Sequence, residues 1–249
     1  MIKKWITGIL ILIVSSLCAQ QNVKDSVLRI PIVGLHFSVQ QPAGDMSQRF
    51  GPNLNVGMPF LFKTKKNLLL GFEGNYLFGS KVKEDVLAGL KTPEGTITTS
   101  QGNPADIRVY ERGWNLYFSF GKLFPVLSAN KNSGVMAMVG VGYMQHKIKL
   151  YDAGKNVVQI YGDLKKGYDR LSGGPAISQF IGYMYLSNNQ LANFYIGFEA
   201  YEGFTTGLRG YQYDLMKSDK AKRVDILYGI RAGWLLPIYK RAPKDFYYF

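Results

Sequence analysis

The chain is poor in the residues that most often carry chemistry. It holds one cysteine, Cys18, and two histidines, His36 and His146. One cysteine excludes a disulfide framework and a cysteine-bound metal cluster. Two histidines far apart in the chain make no metal-ligand spacing, so neither a metal nor a cofactor is expected. Long apolar runs are missing too. Beyond the N-terminal segment no stretch reaches the eighteen apolar residues of a helical membrane span.

The N-terminal segment has its own pattern. Lys3 and Lys4 precede a short apolar core, Ile6 to Val14, and then the small-residue stretch Ser15-Ser16-Leu17-Cys18-Ala19. This predicts a secretory signal peptide over residues 1–19, cleaved before Gln20. Lipidation at Cys18 is the competing reading, but Leu17 stands where that signal takes a small residue. An exported chain seldom meets nucleic acid, so none is expected as a partner. The net charge of +13 is assigned instead to outer-membrane lipids and the phosphates of lipopolysaccharide.

What the chain does have is alternation. Eight runs alternate apolar with polar or small residues: Leu28–Gln40, Asn53–Lys63, Leu68–Ser80, Val109–Phe124, Gly134–Leu150, Gly174–Leu186, Ala192–Phe204 and Arg223–Ile238. Period-two alternation is the pattern of a strand with two unlike faces. The connections after runs two, four and six are short. Those after one, three, five and seven are long, running over about 41–52, 81–108, 151–172 and 205–222. Such sorting fits a membrane barrel, with short periplasmic turns and long extracellular loops. Residues 20–239 are therefore expected to form an all-β, eight-stranded antiparallel transmembrane barrel with both termini in the periplasm. The 17 tyrosines, 15 phenylalanines and 28 glycines suit aromatic girdles and closely packed strands.

The larger apolar row of each run is assigned to lipid. Leu68, Leu70, Phe72, Tyr76 and Phe78 form one such row, and Trp114, Leu116, Phe118 and Phe120 another. Run six is ambiguous, because Gln179 breaks either choice of face. The opposite faces send His36, Glu73, Glu111, Glu199 and Arg231 inward, where isolated charges are costly and must pair or neutralise. An ionic network that fastens the wall is one reading. A proton path or narrow pore is the other.

Three further features invite a function. The loop Tyr161–Arg170 concentrates charge and aromatic groups, and Asp163, Lys165, Lys166, Tyr168, Asp169 and Arg170 are candidates for binding a protein partner. Lys63, Lys65, Lys66, Lys122, Lys131, Lys240, Arg241 and Lys244 gather at the expected periplasmic rim, which suggests snorkelling to lipid phosphates or docking of an acidic periplasmic partner. His146 sits near the outer end of run five, where a lipid A-modifying enzyme would place a base. No serine is spaced to share its face, although a cross-strand serine could approach it.

The last run contains Gly229-Ile230-Arg231-Ala232-Gly233-Trp234. This resembles the signal by which outer-membrane barrels are recognised for insertion, with Gly229, Ala232 and Trp234 at its key positions. The chain departs from that pattern after Pro237. A basic and aromatic tail, residues 240–249, ends in Phe246, Tyr247, Tyr248 and Phe249, which would anchor at the interface or dock a periplasmic partner. The whole mature chain looks like small barrels of the OmpA/OmpX type. The Ala19-Gln20-Gln21 junction, the tyrosine-rich strands, Phe50-Gly51 and Gly140-Val141-Gly142-Tyr143 look like versions from Bacteroidota. In size and strand count it is similar to PorT-like barrels associated with type IX secretion. The resemblance implies a non-enzymatic accessory part of an envelope, secretion or assembly machine, with protein partners from that complex. It transfers no functional residue.

Overall fold

A computed structural model describes residues 26–154, 156–187 and 192–238. The signal segment and the C-terminal tail lie outside the described residues. The strands are β1 (Ile30–Gly44), β2 (Asn53–Lys63), β3 (Leu68–Gly79), β4 (Ile107–Phe124), β5 (Gly134–Asp152), β6 (Ser172–Tyr185), β7 (Phe194–Gly207) and β8 (Arg223–Pro237). Each pairs antiparallel with the next, and β8 returns to β1, closing the barrel. No helix among the described residues is long and apolar enough to cross a membrane.

The eight expected runs are the eight strands, and β2 agrees at both ends. The clearest difference is β1, which continues to Gly44. Its ladder with β2 stops at Gln40↔Asn53, but its ladder with β8 runs on to Gly44↔Asp225. The first connection is therefore residues 45–52, containing the short helix α1 (Met46–Arg49), and it is no longer than the connection 125–133 at the opposite end. Residues 80–106, 153–171 and 208–222 form the long loops.

The ladders are staggered. Stepping from Val33 through successive Cα partners leads through Phe60, Phe72, Phe118, Val141, Ile177, Glu202 and Ile226 back to β1 at Ala43. A stagger of that kind means steeply tilted strands and a narrow lumen that side chains can fill.

Alternation assigns the faces as the sequence implies. Phe72, Phe118, Phe198 and Ile230 stand more than half exposed on the outer wall. Fully burying one such side chain is worth ~1.5–3 kcal/mol against leaving it in water, so a continuous belt of them belongs in hydrocarbon. Aromatic pairs mark its two borders, Trp114 with Tyr143 at 5.5 Å and Tyr185 with Phe194 at 5.2 Å. The barrel is a transmembrane one. On β6 the ambiguity resolves in favour of an inward, buried Phe180 and an outward Gln179, whose Nε2 lies 3.5 Å from Glu202 Oε1.

Candidate functional site

The lumen is filled in three layers. Towards the loop end it is apolar and aromatic, built on Met46, Phe50, Leu77, Tyr117, Met144 and Tyr201. Towards the short-turn end a second apolar cluster includes Ile32, Leu69, Leu123, Met136, Phe180 and Leu235. An ionic layer lies between them, and it is the candidate site.

Arg231 is its centre. Its Nη1 and Nη2 donate to Glu73 at 2.9 and 3.2 Å, and its Nε donates to Glu199 at 2.5 Å. Nη2 also bonds the Tyr201 hydroxyl. Tyr201 in turn donates towards Glu199, 3.2 Å away, and its ring stacks on Tyr117 at 5.0 Å. Asn75 donates to Glu73 at 3.3 Å, and Gln40 to Glu199 at 2.5 Å. The Phe180 ring lies 5.3 Å from the guanidinium carbon. A planar, fixed cation suits this arrangement, because its fork meets carboxylates on two separate strands at once.

Of the five residues expected in a lumenal network, Glu73, Glu199 and Arg231 meet directly. His36 is beside them but joins through Tyr195, whose hydroxyl is 3.0 Å from Nδ1. A side chain at Gly57 would collide with the Asn75 amide and the His36 ring, so that glycine makes room for both. Glu111 is buried but apart. It accepts from Asn53 Nδ2 at 3.0 Å and has no ion pair among the described residues. The stagger of β4 lifts Glu111 out of reach of Arg231, which alternation alone does not reveal. Gln40, Asn75, Tyr117, Tyr195 and Tyr201 complete the layer. Their inward register was the only signal for them, since none is charged. One cavity against this layer, lined in part by Ser119, Met136, Ser178, Tyr195 and Arg231, is ≈ 20 Å³. That is room for roughly one or two waters.

The loops seal the lumen above. Arg49 on α1 pairs with Glu84 at 3.1 Å and Asp219 at 3.5 Å and donates to Ser172 Oγ at 2.9 Å. Arg170 pairs with Glu84 at 2.7 Å and with Asp214 at 2.5 Å, and Arg223 pairs with Asp219 at 2.5 Å. All four loop-end connections are tied together by these contacts. Burial opposes ionisation of Asp219, but Arg223, the Ala221 backbone N–H and Arg49 outweigh it and hold the carboxyl below its ordinary range. Burial likewise opposes charge on Arg170, and the Glu84 and Asp214 carboxylates outweigh it, raising the guanidinium above its usual value.

This seal divides the candidate recognition loop. Asp163, Lys165 and Lys166 are exposed, with Asp163 and Lys166 paired at 2.6 Å. Tyr168, Asp169 and Arg170 turn inward. Tyr168 meets Tyr213 at 5.6 Å, and Asp169 holds Arg209 at 2.9 and 2.5 Å. These three are therefore structural contacts of the seal. Lys63 also differs from expectation. It is buried, donating to Asn132 Oδ1 at 2.8 Å and the Leu28 carbonyl at 3.2 Å, because its place in β2 points inward.

His146 does not lie on an open rim. Even-numbered residues of β5 face the lumen, and His146 is buried there with Nε2 2.8 Å from Asp225 Oδ2. Asp225 also accepts from Thr205 Oγ1 at 2.5 Å. Ser172 is the cross-strand partner of His146. Its hydroxyl donates to the Arg170 carbonyl at 3.1 Å and accepts from Arg49, so it is not bonded to the imidazole. On β8, Ala232 and Trp234 face outward and Gly229 backs closely onto the Val39 and Gln40 backbone. Phe246, Tyr247, Tyr248 and Phe249 lie outside the described residues.

No protein-family model matches the chain, and no curated protein matches it. Among solved structures the barrel is loosely similar to Ail, the attachment invasion locus protein of Yersinia pestis, at 9% identity and a TM-score of 0.44, over 84% of this chain and 100% of that one. Neisserial surface protein A is similar at 10% identity and a TM-score of 0.39, over 83% and 96% of the two chains. OprG, an outer-membrane protein of Pseudomonas aeruginosa, is similar at 10% identity and a TM-score of 0.36, over 89% and 100%.

Proposed function

We propose that this chain is a non-enzymatic integral outer-membrane barrel, with its short turns and both termini in the periplasm. It acts as a structural or accessory component of an envelope, secretion or assembly machine. One observation carries the reading: the lumen is occupied by the Arg231–Glu73–Glu199 layer and roofed by loop ion pairs, so the surfaces available to partners are outside the wall. The exposed half of the recognition loop, with Asp163, Lys165 and Lys166, and the tail ending in Phe249 are the parts offered to protein partners. The likeness to PorT-like barrels of Bacteroidota favours a type IX secretion machine among such roles. The Gly229–Trp234 segment serves insertion.

Copurification tests this. A tagged full-length chain solubilised from outer membranes is expected to bring down defined proteins. Deleting Lys244–Phe249 should reduce that recovery while leaving heat-modifiable barrel in the membrane. Recovery unchanged by the deletion removes the tail from the interface, and recovery of no protein partner removes the accessory role.

A further inference from the structure

Beyond the aromatic border at Trp114 and Tyr143, the outward faces of β4 and β5 change from apolar to cationic. On β4 the outward row passes from Phe118, Leu116 and Trp114 to Arg112. On β5 it passes from Val141 and Tyr143 through Gln145 to Lys147 and Lys149. The ladder makes Arg112 the direct cross-strand partner of Lys147. Like charges placed opposite each other destabilise a sheet. Among the described residues none of Arg112, Lys147 or Lys149 forms an ion pair. Arg112 donates to the Gly79 and Glu111 carbonyl oxygens and lies 5.0 Å from the Tyr110 ring centre, which orients it without neutralising it.

The cluster is local. The outward rows of β1, β2, β3, β6 and β8 carry no charged side chain. Arg112, Lys147 and Lys149 line one groove of ≈ 330 Å³ with Tyr76, Trp114 and Lys165. The one carboxylate in that lining, Asp169, is already engaged by Arg209. A concentrated, unneutralised cation cluster directly above an aromatic border has the chemistry of a lipid phosphate site. The guanidinium offers a fork for phosphate oxygens and the ammonium groups add point charges.

We propose that this groove binds the phosphorylated headgroup of one outer-leaflet lipid of the lipid A class. Arg112, Lys147, Lys149 and Lys165 are its phosphate ligands, and Trp114 and Tyr143 lie under the start of its acyl chains. Lipid A is chosen over a phosphodiester lipid because four cations exceed what one single-charge headgroup neutralises. The inference rests on the outer-membrane orientation proposed above.

The test uses the full chain refolded in detergent, checked for folding by heat-modifiable migration, and titrated during native mass spectrometry. Probes are diphosphorylated lipid A, the same lipid dephosphorylated, phosphatidylglycerol and inorganic phosphate. Wild type is expected to hold one diphosphorylated lipid A. The R112Q/K147Q/K149Q variant is expected to bind it at least about tenfold more weakly, and a K83Q/K91Q control to bind as wild type does. K147Q/K149Q, which retains the Arg112 bonds, is the second variant and should fall between. Equal binding by the folded triple variant overturns the proposal. Equal binding of phosphatidylglycerol overturns it in favour of a general anionic-lipid surface, and equal binding of inorganic phosphate in favour of a free-anion site. Failure of wild type to show heat-modifiable migration strikes the barrel reading instead.

Discussion

Arg231 on β8 reaches across the lumen to Glu73 on β3, placing Nη1 2.9 Å from one carboxylate oxygen and Nη2 3.2 Å from the other. The same guanidinium reaches Glu199 on the neighbouring strand β7 through Nε. One side chain thus joins three strands of the wall at mid-lumen. Apolar layers on either side exclude most of the water that would weaken the contact.

Arg231→Gln should therefore destabilise the barrel strongly, because it strands two buried carboxylates. Removing one partner of a buried ion pair costs about 3–5 kcal/mol. Urea unfolding in lipid vesicles measures this. The triple replacement Arg231→Met, Glu73→Gln, Glu199→Gln should recover much of the loss. A single mutant as stable as wild type would show that the layer does not hold the wall together.

Because the layer and the stacked Tyr117–Tyr201 pair fill the lumen, the wild-type barrel should give no discrete conductance steps in planar bilayers. Combined truncation Tyr117→Ala, Tyr201→Ala, Arg231→Ala should introduce measurable leak if the folded barrel survives. Steady conductance by wild type would revive the pore.

The buried contact of His146 with Asp225 predicts a structural part for that histidine. Lipid A from cells with and without the gene should give the same mass spectrum, and His146→Gln should lower stability without changing it. A lipid A species that appears only with the gene, and vanishes in His146→Gln, would restore the enzymatic alternative.

The loop seal should weaken in acid. The folded-state value of Asp219 is below the ordinary carboxylate value. Its contribution is fully present above the unfolded value of about 3.9, and it is lost as pH falls through the lower folded value. Hydrogen-exchange protection over residues 208–222, measured against the unstructured rate at each pH, should be high at neutral pH and fall below about pH 4, before that of the strands. Asp219→Asn should exchange faster already at neutral pH. Equal protection of that loop in Asp219→Asn and wild type would show that the carboxylate does not hold it.

The strands were legible in the sequence because a wall with lipid outside and packed side chains inside forces period-two alternation. β2 from Asn53 to Lys63 shows this at both ends. The end of β1 was not legible. Gln41–Gly44 is held as strand by β8, which is remote in sequence, and no local pattern announces that ladder. Phe180 and Gln179 were ambiguous for a related reason. Each side chain contradicts the simple rule for its face, and the register of β6 between two fixed neighbours decides the matter.

The candidate site divides along the same line. Inward placement of His36, Glu73, Glu111, Glu199 and Arg231 followed from alternation alone. Which of them meet depends on the stagger between strands, a property of the closed barrel rather than of any one run. It brings Glu73 and Glu199 to Arg231 and leaves Glu111 with Asn53. The loop seal was least visible. Arg49, Glu84, Arg170, Asp214 and Asp219 come from different connections and become neighbours only once the ring has closed. The sequence by itself determined the number of strands, the faces of those other than β6 and the inward placement of the five charged or titratable residues above, since each follows from local periodicity. Tertiary structure alone decided the face of β6, the pairing of those charges, the inward turn of Tyr168, Asp169 and Arg170, and the cationic pair of Arg112 with Lys147. Each of these depends on the register between separate segments, and register is set by the closed sheet.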